Sequence, residues 1–315
     1  MKLWQGTMIA LARSAAVTRF MQERAPTSGL AAHFVAGPDI AAFIAIAQQL
    51  RTRKLSTSAF FLGEYVSDPA KVALNVEGIL AAIDAIDGAT VDLHVSVDPS
   101  QIGYAIDTAL GEANAWRIAK ALAARPVPGR KTLMLDMEDE SYVPPTLALH
   151  AKLKEAGLPA AVTLQAYLHR SAGDIETLIE AGATVRLVKG AFVGTPRTAF
   201  TARMYIDGNY RALAFRLLSP EARTAGVRPV FGTHDEAIIH GVRAMARANG
   251  WQAGDYEFEM LYGVRPALQR RLVDAGETVR LYLPFGRDWW PYAVRRVGES
   301  PHNLWLVARA LIARQ

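Results

Sequence analysis

Short apolar runs alternate with longer amphipathic stretches eight times along this chain, and few folds accommodate that rhythm. The runs fall at residues 59–66, 91–97, 132–137, 161–166, 185–189, 229–233, 256–261 and 279–283. Helix-type segments separate them at 68–86, 102–124, 144–157, 173–182, 197–218, 235–250 and 265–276, and another follows at 288–297. Most runs lack a clean polar/apolar alternation, as expected of strands buried on both faces. Gly157, Gly182, Gly250 and Gly276 close helical segments, where a left-handed cap favours glycine. Eight βα units in 315 residues predict a single (β/α)₈ barrel. The expected organisation is an N-terminal helical region over 1–57 and a barrel with a C-terminal helix over 58–315. An open doubly wound sheet is the runner-up, but no G-x-G-x-x-G follows the first strand and there is no P-loop sequence. The Gly/Pro-containing stretch 125–130 is short and reads as an αβ loop, not a domain linker.

Barrels of this type place function at the C-terminal ends of their strands. Those ends carry Glu64, Asp98, Asp136 with Glu138, Gln165, Lys189, Thr233 with His234, Glu259 and Tyr282. A polar group after nearly every apolar run points to a large catalytic mouth. Arg186 lies inside the fifth strand, where it reads either as a satisfied ion pair or as part of that mouth. Arg295 and Arg296 are adjacent on the last helical segment. That segment begins Asp288-Trp289-Trp290-Pro291-Tyr292, too aromatic for a purely solvated face. Paired guanidinium groups suit a carboxylate, which accepts parallel charge-assisted hydrogen bonds from them.

Composition narrows the chemistry. The chain has no cysteine, which removes disulfides, thiolate nucleophiles and cysteine-ligated metals. Its seven histidines show no H-E-x-x-H spacing, and no G-x-S-x-G elbow is present. His234 alone at a strand end reads as a structural donor or as a base. With neither metal nor nucleophile indicated, an organic cofactor is the expected reactive element. The formal charge of +5 is scattered without a basic run, so a nucleic-acid partner is not expected. The apolar stretch 8–17 is broken by Arg13 and does not read as a signal peptide, and no window has the length of a membrane span. A cytoplasmic location follows as an expectation. The segment 302–313 places Leu304, Trp305, Ala308, Leu311 and Ile312 on one helical face, which suits packing on the barrel or a peripheral contact with the inner face of the membrane.

Eight spaced motifs together resemble the FAD-dependent proline dehydrogenase family. They are Leu62-Gly63-Glu64; Leu135-Asp136-Met137-Glu138-Asp139; Leu164-Gln165-Ala166-Tyr167-Leu168-His169-Arg170; Val185-Arg186-Leu187-Val188-Lys189-Gly190-Ala191-Phe192; Thr233-His234-Asp235; Phe258-Glu259-Met260-Leu261-Tyr262-Gly263; Tyr282-Leu283-Pro284-Phe285-Gly286-Arg287-Asp288-Trp289; and Arg295-Arg296-x-x-Glu299. They run in the family's order from about residue 58 to the C-terminus.

The resemblance implies a distorted (β/α)₈ barrel that binds FAD and oxidises proline to Δ1-pyrroline-5-carboxylate by hydride transfer to the flavin N5. It implies flavin contacts at Gln165, Arg186, Val188, Lys189, Gly190, Ala191, Thr233, His234 and Glu299. It further implies a carboxylate clamp of Arg295 and Arg296, a closing pair of Glu64 with Arg295, and a wall for the substrate ring at Tyr282 and Tyr292. The implied partners are a membrane quinone as electron acceptor and a separate dehydrogenase for the pyrroline carboxylate. One departure stands out: the family's usual lysine after the second strand is Asp98 here, close to the acid Asp136 that the lysine would pair with. Two buried carboxylates there would raise at least one pKa and alter the grip on the substrate carboxylate. A register shift that makes His94 the local substitute is the lesser reading. Phe192 where tyrosine is common and Glu259 where glutamine is common are smaller departures. Asp98 motivates one alternative, a dehydrogenase of a related cyclic imino acid or amine; a catalytically silent binding barrel is another.

Overall fold

The computed structural model describes residues 29–63, 66–87, 91–192 and 194–299. Two helices come first, α1 (Gly29–Phe34) and α2 (Ile40–Arg51). Eight strands follow: β1 (Leu55–Phe61), β2 (Leu93–Val97), β3 (Lys131–Leu135), β4 (Ala160–Gln165), β5 (Thr184–Val188), β6 (Arg228–Gly232), β7 (Glu257–Leu261) and β8 (Val279–Phe285). Between them run α3 (Pro69–Ala85), α4 (Thr108–Ala124), α5 (Val143–Glu155), α6 (Ser171–Glu180), α7 (Arg203–Leu217) with the short α8 (Pro220–Thr224), α9 (Glu236–Ala248) and α10 (Pro266–Asp274). After β8 comes α11 (Trp289–Glu299).

The strands pair in parallel in sequence order, and β8 closes on β1 over seven residues, from Leu55 opposite Val279 to Phe61 opposite Phe285. The result is the closed eight-stranded parallel barrel that the alternation predicts. Asp68, Asp107 and Asp235 cap α3, α4 and α9, each side chain accepting from a first-turn N–H that has no partner within the helix. The apolar core lies between the outer face of the sheet and the helices, with Phe43, Ile79, Ile83, Ile118, Leu149, Phe231, Val242 and Phe258 all buried.

The barrel lumen is polar, and this displaces one expected boundary. β1 begins at Leu55, not at residue 59, so Leu55–Thr57, expected in the helical region, are strand. Ser56, Thr57 and Ser58 hide the strand from an apolar search, yet Ser58 Oγ donates to Glu259 Oε1 across the lumen at 2.5 Å. Two arginines fill the lumen in layers. Arg280 bonds Glu257 through Nε (2.8 Å) and Nη2 (3.2 Å), the Thr57 carbonyl (2.7 Å) and Asp92 (3.1 Å). Arg186 forms the layer nearer the C-terminal ends. Buried charges persist only when paired in this way.

Two helices also start later than expected. The segment from 102 passes through a short 3₁₀ turn (Ser100–Ile102) and Gly103 at φ +117° before α4 begins. Residues 197–202 form a turn whose Ala199 bridges to Leu168 instead of opening α7. The chain after α1 straps the end of β8: Ala36 N–H donates to the Pro284 carbonyl (2.8 Å), and Gly286 N–H donates to the Gly37 carbonyl (2.9 Å). The apolar stretch 8–17 and the amphipathic segment 302–313 lie outside the described residues. Among the described residues, no helix is long and apolar enough to cross a membrane.

Candidate active site

A cavity of about 750 Å³ opens at the C-terminal ends of the strands. Every strand from β2 to β8, or the loop it feeds, contributes to its lining: Asp98, Asp136, Gln165, Arg186 with Lys189, Thr233 with His234, Glu259 and Tyr282. Gly190, Ala191 and Phe192 line it after β5, and Arg296 reaches it from α11. The strand-end list therefore assembles into one mouth, with two exceptions. Glu138 is not in the lining; it turns away to accept from Ser100 N–H (2.6 Å) and Ser100 Oγ (2.7 Å). Glu64 lies outside the described residues, as do the side chains of Arg295 and Glu299.

At the floor of the cavity, Arg186 satisfies both readings offered by its sequence. It lines the mouth and is also fully engaged. Its guanidinium pairs with Asp136, bonds Glu259 (3.1 Å) and donates to Thr163 Oγ1 (3.0 Å) and Ser96 Oγ (3.4 Å). Asp136 also accepts the Tyr282 hydroxyl at 2.8 Å. Burial and the nearby Asp98 push the Tyr282 phenol far above its ordinary range, so Tyr282 is a neutral donor. Ser58, Ser96 and Thr163 belong to this network, and sequence reasoning missed them. Their only signal was a polar residue every second position in β1, β2 and β4, which becomes meaningful once the lumen is known to be polar.

His234 is held in one state. Its Nε2 accepts the Leu261 N–H at 2.9 Å. A backbone N–H can only donate, so the neutral ring carries its proton on Nδ1. Burial, reinforced by Arg296 and Arg265, lowers its pKa to about 4. Lys189 is clamped between Asp207 (2.5 Å) and Asp235 (2.9 Å) at the rim.

Asp98 lines the cavity at the end of β2, whereas His94 is buried within β2 and is not a lining residue. That disposes of His94 as the local substitute. Burial drives the Asp98 carboxyl well above the usual carboxylate range, and the charge it feels most is that of Glu138, with Arg186 opposing. Tyr292 is buried in α11 with the Arg296 guanidinium 5.2 Å from its ring centroid, and it is not among the lining residues.

The residues present suit an organic cofactor with polar ring edges. Gln165 Nε2 donates to the Met137 (3.1 Å) and Glu138 (3.0 Å) carbonyls, and among the described residues nothing donates to its buried Oε1, in a residue that lines the cavity. A ligand N–H would satisfy it. Gly232 also lines the cavity, and a Cβ there would crowd Val188, another lining residue.

Fold and site thus define a (β/α)₈ enzyme with a deep polar mouth above its strand ends. The profile of the family described as proline dehydrogenase matches residues 43–308. A proline dehydrogenase of Deinococcus radiodurans is 35% identical over 285 residues, covering 90% of each chain. Proline dehydrogenase 2 of Bacillus subtilis is 31% identical over 274 residues, 87% of this chain and 88% of that one. Among solved structures, proline utilization A (PutA) from Bdellovibrio bacteriovorus, inactivated by N-propargylglycine, superposes with a TM-score of 0.79 at 20% identity. PutA from Corynebacterium freiburgense gives 0.75 at 22%. These two likenesses concern the fold; this chain spans 38% and 35% of those longer proteins. The chain belongs to the proline dehydrogenase family and is an oxidoreductase of that class.

Proposed function

We propose that this chain holds FAD in the cavity and oxidises L-proline to Δ1-pyrroline-5-carboxylate. One observation carries the reading: Gln165, Arg186, Lys189, Thr233, His234 and Arg296, which span 131 positions of sequence (296 − 165), line a single cavity of cofactor size. FAD, when bound, supplies a two-electron acceptor for the hydride released from the ring carbon beside nitrogen. Gln165 Oε1 and the Nδ1–H of His234 offer one acceptor and one donor of fixed identity. Val188, Gly190 and Ala191 form the backbone wall beside them, and Glu299 adds a further contact from α11. Arg186, held by Asp136 and Glu259, is a preorganised positive charge that stabilises negative charge arriving nearby without having to reorient.

Arg296, with Arg295, grips the substrate carboxylate, and Glu64 closes over Arg295. Tyr282, fixed by Asp136, forms the wall against the ring, and Tyr292 supports Arg296 from behind. Electrons pass on to a membrane quinone, and a separate dehydrogenase consumes the pyrroline carboxylate. Purified protein mixed anaerobically with L-proline tests the reaction: the visible band of oxidised flavin should bleach. Colourless protein would remove the flavin reading. Yellow protein that L-proline fails to bleach would move the substrate to a related cyclic imino acid or amine.

A further inference from the structure

Five carboxyl groups line the cavity: Asp98, Asp136, Asp235, Glu236 and Glu259. Four are engaged. Asp136 accepts from Tyr282 and pairs with Arg186, while Glu259 accepts from Ser58 and Arg186. Asp235 holds Lys189 and caps α9. Glu236 pairs with Arg265 (3.3 Å) and Arg271 (2.9 Å). Among the described residues nothing donates to the Asp98 carboxyl and no cation pairs with it; only its backbone is used, the N–H donating to Gln101 Oε1 at 3.4 Å and the carbonyl accepting from Gln101 N–H at 3.1 Å. Arg186 does not neutralise it by contact, because two other acids occupy that guanidinium. The cavity therefore presents one unengaged acid at β2, and Arg296 lines it from α11. A zwitterion whose carboxylate lies toward α11 and whose ammonium lies toward β2 matches that polarity.

We propose that Asp98 receives the ring ammonium of the substrate and takes its proton as the adjacent carbon is oxidised. This rests on the flavin-linked reaction proposed above. In the step, an N–H bond breaks and its proton passes to an Asp98 carboxylate oxygen. The C–H bond on the neighbouring ring carbon breaks with its electron pair, which leaves as hydride to the flavin. A C=N double bond forms, so the product departs as a protonated cyclic imine. The charged and titratable groups around Asp98 are Glu138 and Asp136 after β3, Arg186 on β5 and Tyr282 on β8. Burial and Glu138 favour the protonated acid in the free enzyme. The base form therefore appears as pH rises through that raised pKa, and an arriving ammonium favours it by pairing.

The test compares wild type with Asp98→Asn and Asp98→Glu, each checked for retained flavin colour. With L-proline, Asp98→Asn should slow anaerobic flavin reduction by roughly 100-fold or more, the usual range for loss of a general base. It should also abolish the low-pH limb of the rate profile, and Asp98→Glu should restore part of both. Binding gives a second readout, on enzyme already reduced with dithionite so that no turnover occurs. Wild type should bind L-proline at least about tenfold more tightly than its ring-oxygen analogue, tetrahydro-2-furoic acid, which carries no ammonium, as befits a charge-assisted hydrogen bond. Asp98→Asn should erase that preference. An unchanged rate and pH profile in Asp98→Asn, or equal weakening of both ligands, overturns the proposal while leaving the flavin reaction standing. Wild-type protein that stays yellow with L-proline defeats the proposed substrate instead. The ammonium preference is then read with pyrrolidine against tetrahydrofuran, where its loss in Asp98→Asn supports the proposal and its persistence overturns it.

Discussion

Arg186 is 5% exposed and carries its charge among Asp136, Glu259, Thr163 and Ser96. A buried pair of this kind contributes little net stability compared with apolar packing, but removing one partner strands the other. Arg186→Ala should therefore lower stability by about 3–5 kcal/mol, read as a fall in urea midpoint at constant m-value. Adding Glu259→Gln should recover part of that loss, because the orphaned charge goes with it, and strictly additive effects would show that the two residues are not coupled. Motif reading singled out Arg186 and Glu259. It did not see that they share a salt bridge, because they are 73 positions apart and meet only across the lumen.

At the scale of elements, the loop after β7 meets the last turn of α1, where the strap begins. Gly263 there has φ +79°, and a Cβ on it would collide with the His33 carbonyl. Gly263→Ala combines left-handed strain with an overpacked backbone contact, so it should cost about 1–3 kcal/mol in thermal or chemical unfolding. A neutral outcome would mean that the strap can move aside. The strap was not legible, since it depends on residues 33–37 lying against the end of β8. β1 was only half legible: Phe60 and Phe61 announced a strand, but Ser56 and Thr57 were expected in the helical region and Ser58 outside the apolar run, because the partners of Thr57 and Ser58 belong to β8 and β7. The strands β3 to β7, by contrast, begin and end within two residues of where their apolar runs placed them, since their outer faces are covered by helices.

For the whole molecule, burial holds His94, His150 and His234 neutral. His150 and His234 each have a pKa lowered to about 4 from an ordinary value of 6.5. A group whose folded pKa is depressed lends its stability above the unfolded value and loses it as pH falls. Stability should thus decline as pH drops from about 6.5 to about 4, by up to roughly 3 kcal/mol for each histidine at 1.36 kcal/mol per unit. Denaturant midpoints at pH 7 and pH 4.5 check this, and His150→Gln should flatten its share of the slope. By itself, the sequence determined the barrel class, the order of its elements and most of the residues at the mouth. Apolar periodicity, glycine caps and strand-end polarity are local signals, written within a few residues of where they act. Only the tertiary structure decided which acids are spent and which are left. Asp136, Glu259 and Glu138 find their donors 146, 201 and 38 positions away, and Asp98 finds none among the described residues. Closing the barrel converts eight separate strand ends into one electrostatic environment, and no single segment contains that information.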